Sequence, residues 1–166
     1  MKLNARNITS YAVLIALSLL LSFIESQLPP AFISVPGVKL GLANIITLLT
    51  LYMYGSLPAV TVVFCRCLLA SFFGGGFSAF LFSVTGGLIS VAVMIFLKKR
   101  KHLSVYGVSV GGAAAHGIGQ IIVASVMFLS FSVYLYLPLL LISSLVTGTI
   151  TALLAAILLT RIKNLV

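Results

Sequence analysis

Long apolar runs, separated by short stretches of glycine, proline and basic residues, dominate this sequence and restrict what it can fold into. A helix that crosses a membrane needs about 20 apolar residues, within a range of about 17–25. The second run is short, so we expect that helix to be tilted or extended by the preceding loop. The pattern predicts an all-α integral membrane bundle of six transmembrane helices, near residues 8–24, 40–54, 57–73, 77–97, 105–131 and 137–162.

The scarcity of charged side chains leads to the same class of protein. Only 7% of the 166 residues are charged and 61% are hydrophobic, whereas about 25% of residues are charged in a typical soluble domain. So few charges are too few to cover a water-facing surface. The sequence contains no evident soluble domain, long linker or internal repeat, so residues 1–166 are predicted to form a single transmembrane domain in the cell membrane.

The basic residues flank the apolar runs and therefore indicate how the helices are oriented. The net charge is +9, but this placement is typical of topology determinants and makes nucleic acid an unexpected partner. Because cytoplasmic loops are enriched in lysine and arginine, both termini are predicted to be cytoplasmic, in contact with the headgroups of membrane lipid. The basic residues on that side are Lys2, Arg6, those of the run 98–102, Arg161 and Lys163.

Arg66 is the most costly residue in the predicted membrane segments. It lies about 13 Å into the third helix, near the middle of the bilayer, where an arginine costs about 2.5–3.5 kcal/mol on insertion scales. It is therefore expected to bind a substrate anion that enters from the outside. The alternative is a structural ion pair with Glu25, the only acidic residue of the chain. Both interpretations hold if Glu25 orients Arg66 beside the substrate.

His116 and Gln120 are four residues apart in the fifth helix, so their side chains share one face of that helix. His116 lies about 16 Å into the helix, at a depth similar to that of Arg66. These residues are candidate substrate ligands, or else they form hydrogen bonds within a helix–helix contact made by small residues. The small residues that continue this face are Ser109, Gly112 or Ala113, and Ala124.

The segment VPGVKLGLAN, residues 35–44, interrupts the apolar pattern just before the second helix. The predicted orientation puts Lys39 at the outer rim of the membrane, with Asn44 about a turn and a half below it. Both are predicted to line the substrate cavity, with Lys39 at its mouth. Alternatively, Lys39 is an interfacial anchor whose ammonium group reaches the lipid headgroups.

Ala12 and Ala16 are four residues apart in the first helix, with Thr9 on the same face. Small residues at this spacing let a second helix approach closely. Glu25 follows Ala16 by nine residues, which puts its carboxylate about half a turn away from this small face. Most pairs of this kind serve internal packing, so the spacing alone leaves the identity of the second helix open.

Three segments of the chain resemble the heptaprenyl diphosphate synthase component I family, which is also called the Gx transporter family. They are PGVKLGLANIITL (36–48), RCLLASFFGGGFSAFLFS (66–83) and AAAHGIGQ (113–120). That family in turn resembles the S components of energy-coupling-factor transporters, which are six-helix membrane proteins of about this length. S components bind a vitamin or a similar small molecule from the outside.

This resemblance implies a substrate-binding role and a set of partners. The first helix of S components carries an AxxxA motif, which Ala12 and Ala16 match, and which contacts an energy-coupling transmembrane subunit that works with two ATPase subunits. The family label suggests an isoprenoid or quinone-related precursor as substrate, whose apolar part Phe72, Phe73 and Phe77 would cover. The residues expected around its anionic or acceptor-rich head are Glu25, Lys39, Asn44, Arg66, His116 and Gln120.

The sequence argues against catalysis by this chain. Prenyl diphosphate synthases bind Mg²⁺ through aspartate-rich motifs because this ion prefers carboxylate oxygens, whereas this chain has one acidic residue in total. It has no phosphate-binding loop, and Cys65 and Cys67 point to different faces of one helix. No catalytic residue, metal site or cofactor is predicted. The alternatives to an S component are a non-catalytic membrane accessory subunit of prenyl diphosphate or menaquinone biosynthesis and a purely structural anchor.

Overall fold

The computed structural model describes residues 5–27, 41–100 and 102–163, and these residues form an all-α structure without strands. It confirms six helices, of which five are long and apolar enough to cross a membrane. This agrees with a multi-pass membrane protein. The helices are α1 (Ala5–Gln27), α2 (Ala43–Tyr54), α3 (Ser56–Ala70), α4 (Gly76–Lys98), α5 (Val105–Phe128) and α6 (Leu137–Lys163).

The second helix, α2, lies inside the bundle. Its 12 residues extend over about 18 Å, which is well short of the roughly 30 Å hydrocarbon core of a bilayer. Nine of these residues are buried, because α2 packs against α1, α3 and α6. Its Leu48 and Leu51 are fully buried, and the polar side chains of Thr47 and Thr50 are buried as well. Burial within the protein therefore compensates for its short length.

Two joints differ from the loops that the sequence predicts. The glycine-rich stretch after α3 contains a π-helical turn, Ser71–Gly75, and the chain changes direction at Gly76, where φ is 66°. This left-handed conformation is readily available to glycine. The predicted fifth helix ends earlier, at Phe128, and a 3-10 turn, Phe131–Tyr136, leads into α6. Apolar composition alone does not mark these ends.

Glycines let α5 lie close to both of its neighbours, α4 and α6. A Cβ atom on Gly119 of α5 would lie 2.9 Å from the Cα of Gly86 of α4. On the other side, a Cβ on Gly148 of α6 would lie 2.8 Å from the Cα of Val110, and Ser109 donates a hydrogen bond of 2.8 Å to the Gly148 carbonyl. Small residues at helix contacts are the usual packing solution inside membranes.

The Gly86–Gly119 contact gives a prediction with a matched control. Gly119→Ala is expected to lower the free energy of unfolding by about 1–3 kcal/mol, because the added methyl group meets backbone that has no room to move. Gly117→Ala is the control, since its Cβ would lie 3.5 Å from the nearest atom, the Ser144 hydroxyl oxygen. That change should be neutral or stabilising, because alanine favours helix more than glycine does.

Thermal unfolding of both variants in the same detergent would test this contact. If the Gly119→Ala and Gly117→Ala variants were equally stable, the result would contradict the close approach of α4 and α5.

The ends of α1, α2 and α4 meet at the basic end of the bundle. The ring of Tyr11 in α1 packs edge-on against that of Tyr54 in α2, with 5.3 Å between ring centroids. Lys98, the last residue of α4, donates a hydrogen bond of 2.7 Å to the Leu51 carbonyl oxygen, and its ammonium lies 4.8 Å from the Tyr52 ring centroid. Lys98 thus satisfies a carbonyl in the last turn of α2, where a cation is favourable.

Lys98→Met is expected to destabilise the protein by about 1 kcal/mol, because it removes a charged hydrogen bond to a helix end that is partly open to solvent. Lys99→Met removes the same charge from the neighbouring, exposed position and should have almost no effect on stability. Thermal unfolding of the two variants at equal salt concentration measures the difference. Equal stabilities would mean that the Lys98–Leu51 hydrogen bond contributes nothing.

Candidate functional site

Polar side chains from all six helices meet at the end of the bundle opposite the basic end. Each helix contributes side chains from the part nearest this end. These come from the last turns of α1, the first turn of α2 and the first three turns of α6. The polar side chains surround two small cavities, each of about 20 Å³, a volume that suits one small polar group. The first is lined by Ser22, Glu25, Gly41, Asn44, Arg66, Cys67, Ala70, Ser83 and His116, and the second by Gly41, Asn44, Ala113, His116, Gly117, Gln120, Leu140, Ser143, Ser144 and Thr147.

Arg66 lies in the wall of the first cavity and is 6% exposed. Its Nη2 lies 3.8 Å from the Cys67 sulfur, a weak acceptor, and its Nε has no hydrogen-bond partner among the residues that the structure describes. The structure records no ion pair for Arg66 within the described ranges. A buried guanidinium carries five N–H donors and a full charge, and burial without compensation is costly. Arg66 therefore has donors and positive charge available to an anion in this cavity.

Glu25 lines the same cavity but directs its carboxylate to the backbone. Its Oε1 accepts a hydrogen bond of 2.5 Å from the N–H of Gly41, just before α2. Gly41 has a φ of 82°, a conformation suited to glycine, and a Cβ there would lie 3.2 Å from the Asn44 side chain. The ion pair with Arg66 is not formed in the part of the chain that the structure describes. Glu25 instead holds the start of α2 against the end of α1.

Asn44 and His116 separate the two cavities and line both of them. Both side chains are buried. The His116 ring packs tightly against α4, because a Cβ on Gly86 would lie 3.0 Å from its Nδ1 and Cε1 atoms. Gly86 thus makes room for the imidazole as well as for the backbone of α5. The same close packing that joins α4 and α5 also fixes the position of a cavity residue.

The second cavity contains Gln120 and a set of α6 hydroxyl groups that the sequence analysis missed. Ser144 donates to the carbonyl oxygens of Leu140, at 2.7 Å, and Ala113, at 3.3 Å, and Ser143 donates to Leu140 at 2.9 Å. Serines of this kind are common in membrane helices, where they bond to the preceding turn. Thr147 follows Ser144 by three residues and Ser143 by four, which are the spacings of neighbours on one helix face, and that spacing was the available signal.

The structure thus brings together five of the predicted site residues: Glu25, Asn44, Arg66, His116 and Gln120. Lys39 lies outside the described residues. Phe72, Phe73 and Phe77 line neither cavity, and each is more than 70% exposed.

The small-residue face of α5 has two roles along its length. The part nearer the basic end packs between helices, since Ser109 donates a hydrogen bond to α6 and Gly112 contacts Met94 of α4. The part farther from the basic end lines the second cavity, through Ala113, His116 and Gln120. Helix packing and a polar cavity wall, which the sequence left as alternatives, therefore both occur on this face.

Ala12 and Ala16 lie far from the cavities, on the exposed face of α1. The opposite face of α1 carries the buried residues Ser18 and Glu25. The alanine pair therefore does not contribute to packing within the bundle and is accessible to another helix.

A comparison with protein families matches residues 14–158 to the model for heptaprenyl diphosphate synthase component I. The chain belongs to that family. No curated protein and no solved structure gives a significant match. The family description names one component of a synthase and so implies a partner subunit. The chain itself has a single acidic residue.

Proposed function

We propose that this protein is the substrate-binding membrane component of a transporter of the energy-coupling-factor type. It captures a small anionic or acceptor-rich molecule from the outside, in the cavities between its helices. A separate module, made of an energy-coupling transmembrane subunit and two ATPase subunits, supplies the energy for uptake. The chain itself has no phosphate-binding loop and acts as the binding component alone.

The observation that carries this proposal is the buried guanidinium of Arg66, which forms no ion pair among the described residues. An arginine in a membrane bundle faces a partner or a cavity, and Arg66 faces a cavity lined by other polar side chains. A purely structural anchor has no need of such a group, because an apolar residue of similar size would be more stable there. A substrate anion accounts for both the charge and its position.

The distribution of charge supports access from outside. Lys98 is 15 residues beyond the cavity residue Ser83 in α4, and Arg161 is 14 residues beyond Thr147 in α6. At 1.5 Å per residue, each base lies roughly 20 Å from the cavity along its helix. The positive-inside rule assigns this basic end to the cytoplasm, so the cavities belong to the outer half of the bundle, and both termini are cytoplasmic.

The exposed alanine face of α1 supports the assignment of partners. Ala12 and Ala16 give a smooth surface, and the predicted orientation puts them in the cytoplasmic half of the membrane. A coupling subunit would dock there without blocking the cavities, which lie at the other end of α1.

The family description favours a second candidate function, a non-catalytic membrane subunit of prenyl diphosphate or menaquinone biosynthesis. In that role the chain would hold the lipid product for a partner synthase. An isoprenoid or quinone-related precursor as transported substrate would connect the two candidates, since uptake would then supply the same biosynthesis.

Co-purification distinguishes the two functions. The tagged protein is isolated in mild detergent from its native membrane, and its partners and retained small molecules are identified by mass spectrometry. A transport component is expected to retain a transmembrane coupling subunit and two ATPases. Recovery of a prenyl synthase alone, with altered product yield on reconstitution, would support the accessory subunit and overturn the transport proposal.

A further inference from the structure

The two cavities differ in what they offer to a ligand, and this difference restricts the chemistry of the substrate. The first contains the Arg66 guanidinium, and the second contains hydroxyl and amide groups and shares His116 with the first. They are adjacent, since Gly41, Asn44 and His116 line both. One small molecule with two polar groups would thus occupy both cavities across the Asn44–His116 wall.

The charge of the first cavity favours a single negative charge on the ligand. Arg66 is the one lysine or arginine among the described residues that line the two cavities, and Glu25 lies in the same wall. One guanidinium neutralises one charge, so the described lining of the first cavity matches a singly charged anion better than a diphosphate. The planar guanidinium fork also matches a carboxylate, which it binds through two parallel hydrogen bonds.

The two serine hydroxyl groups of the second cavity are available as acceptors. A serine hydroxyl has one hydrogen and two lone pairs. Ser143 and Ser144 direct that hydrogen to backbone carbonyl oxygens of Leu140 and Ala113. Their lone pairs are what remains for a ligand, so this wall of α6 is complementary to a group that donates, such as a hydroxyl or an amine.

We infer that the substrate is a small monocarboxylate that also carries a hydroxyl or amino group, with the carboxylate on Arg66 and the donor group against Ser143 and its neighbours on α6. This inference rests on the proposed substrate-binding function and specifies its ligand. Specificity comes from the second cavity, because a buried acceptor that loses its donor rejects the wrong ligand more strongly than an apolar contact does.

Binding of matched acids to the full-length protein in detergent tests this inference. The probes are beta-hydroxybutyrate and para-hydroxybenzoate, each with its parent acid and with its methyl ether, which keeps the charge but donates no hydrogen bond. Methyl para-hydroxybenzoate removes the charge and keeps the hydroxyl group. At least one hydroxy acid is expected to bind about tenfold or more tightly than its parent acid, its methyl ether and, for para-hydroxybenzoate, its methyl ester.

The double substitution Ser143→Ala and Thr147→Val locates the effect. Both side chains keep their approximate size, and Ser144, which also bonds to α5, is left in place. The preference for the hydroxy acid over its parent acid should fall to near parity. Thermal unfolding without ligand verifies that the variant folds.

The outcomes separate this inference from the function on which it rests. Equal binding of hydroxy acid and methyl ether, an unchanged preference in the double variant, or no binding by any acid overturns the inference. If the carboxylates bind and Arg66→Met leaves their affinity unchanged, the anion site of the proposed function fails as well. If Arg66→Met abolishes binding but the hydroxyl preference is absent, the proposed function stands and the ligand class is wrong.

Discussion

Arg66→Met is expected to make the ligand-free protein more stable and at the same time unable to bind small carboxylates. The guanidinium is buried, and it forms no ion pair within the described ranges. Replacing an uncompensated buried charge by an apolar side chain of similar length is expected to raise the free energy of unfolding by about 1–4 kcal/mol. Thermal unfolding in detergent and carboxylate binding by the same samples measure the two effects. A gain in stability with a loss of binding is the signature of a functional charge.

Arg161→Met is the matched control for this substitution. It removes the same charge from an exposed position at the basic end of α6, so stability should stay within about 0.5 kcal/mol and binding should be unchanged. If Arg66→Met instead destabilised the protein by several kcal/mol, the guanidinium would have a structural partner, and the anion site would lose its main support.

Ala16→Leu is expected to weaken assembly with the coupling module without affecting the fold. The residue is exposed on α1, so a larger side chain meets no other part of this chain. At a close helix contact the added atoms cost about 1–3 kcal/mol, which lowers the affinity for the coupling subunit about tenfold or more. Co-purification with the transmembrane coupling subunit and the two ATPases measures the loss, and carboxylate binding by the isolated variant should equal that of the parent protein.

Thr149→Leu provides the control for added bulk in the membrane region. Thr149 is also exposed, on α6, so its substitution should leave the complex intact. A complex that survives Ala16→Leu with undiminished yield would show that α1 does not dock there, and would favour the biosynthetic accessory subunit.

The sequence predicts the helices and much of the cavity lining for a common physical reason. In a membrane, apolar length defines the helices, and each polar residue inside them is costly enough to require a partner or a cavity. Depth arguments therefore place Arg66, His116 and Gln120 at similar levels of the bundle, and in the structure they line two adjacent cavities. Asn44 and Glu25 follow from the same reasoning, since their helix ends must lie at one side of an antiparallel bundle.

Other features are not evident from the sequence because they depend on rotation about the helix axes. Ser22, Ser83 and Ser143 line the cavities, but serine is inexpensive in a membrane helix and gives no signal by its presence alone. The contact of Gly86 with Gly119 likewise requires both helices to turn toward each other. The ion pair of Glu25 with Arg66 was a reasonable alternative by charge, yet the backbone N–H of Gly41 takes the carboxylate.

The burial of α2 has a consequence for how this protein assembles during synthesis. A 12-residue helix that contains Asn44, Thr47 and Thr50 has little tendency to remain in lipid by itself, and it is followed by α3 after Gly55 alone. The two helices are therefore expected to enter the membrane together as a hairpin. α2 gains its full set of neighbours only when α6 arrives, four helices later in the chain. The interior of the bundle, with both cavities, is thus completed at the end of synthesis, and a ribosome stalled before α6 would leave the polar side of α2 open to recognition by quality-control proteases.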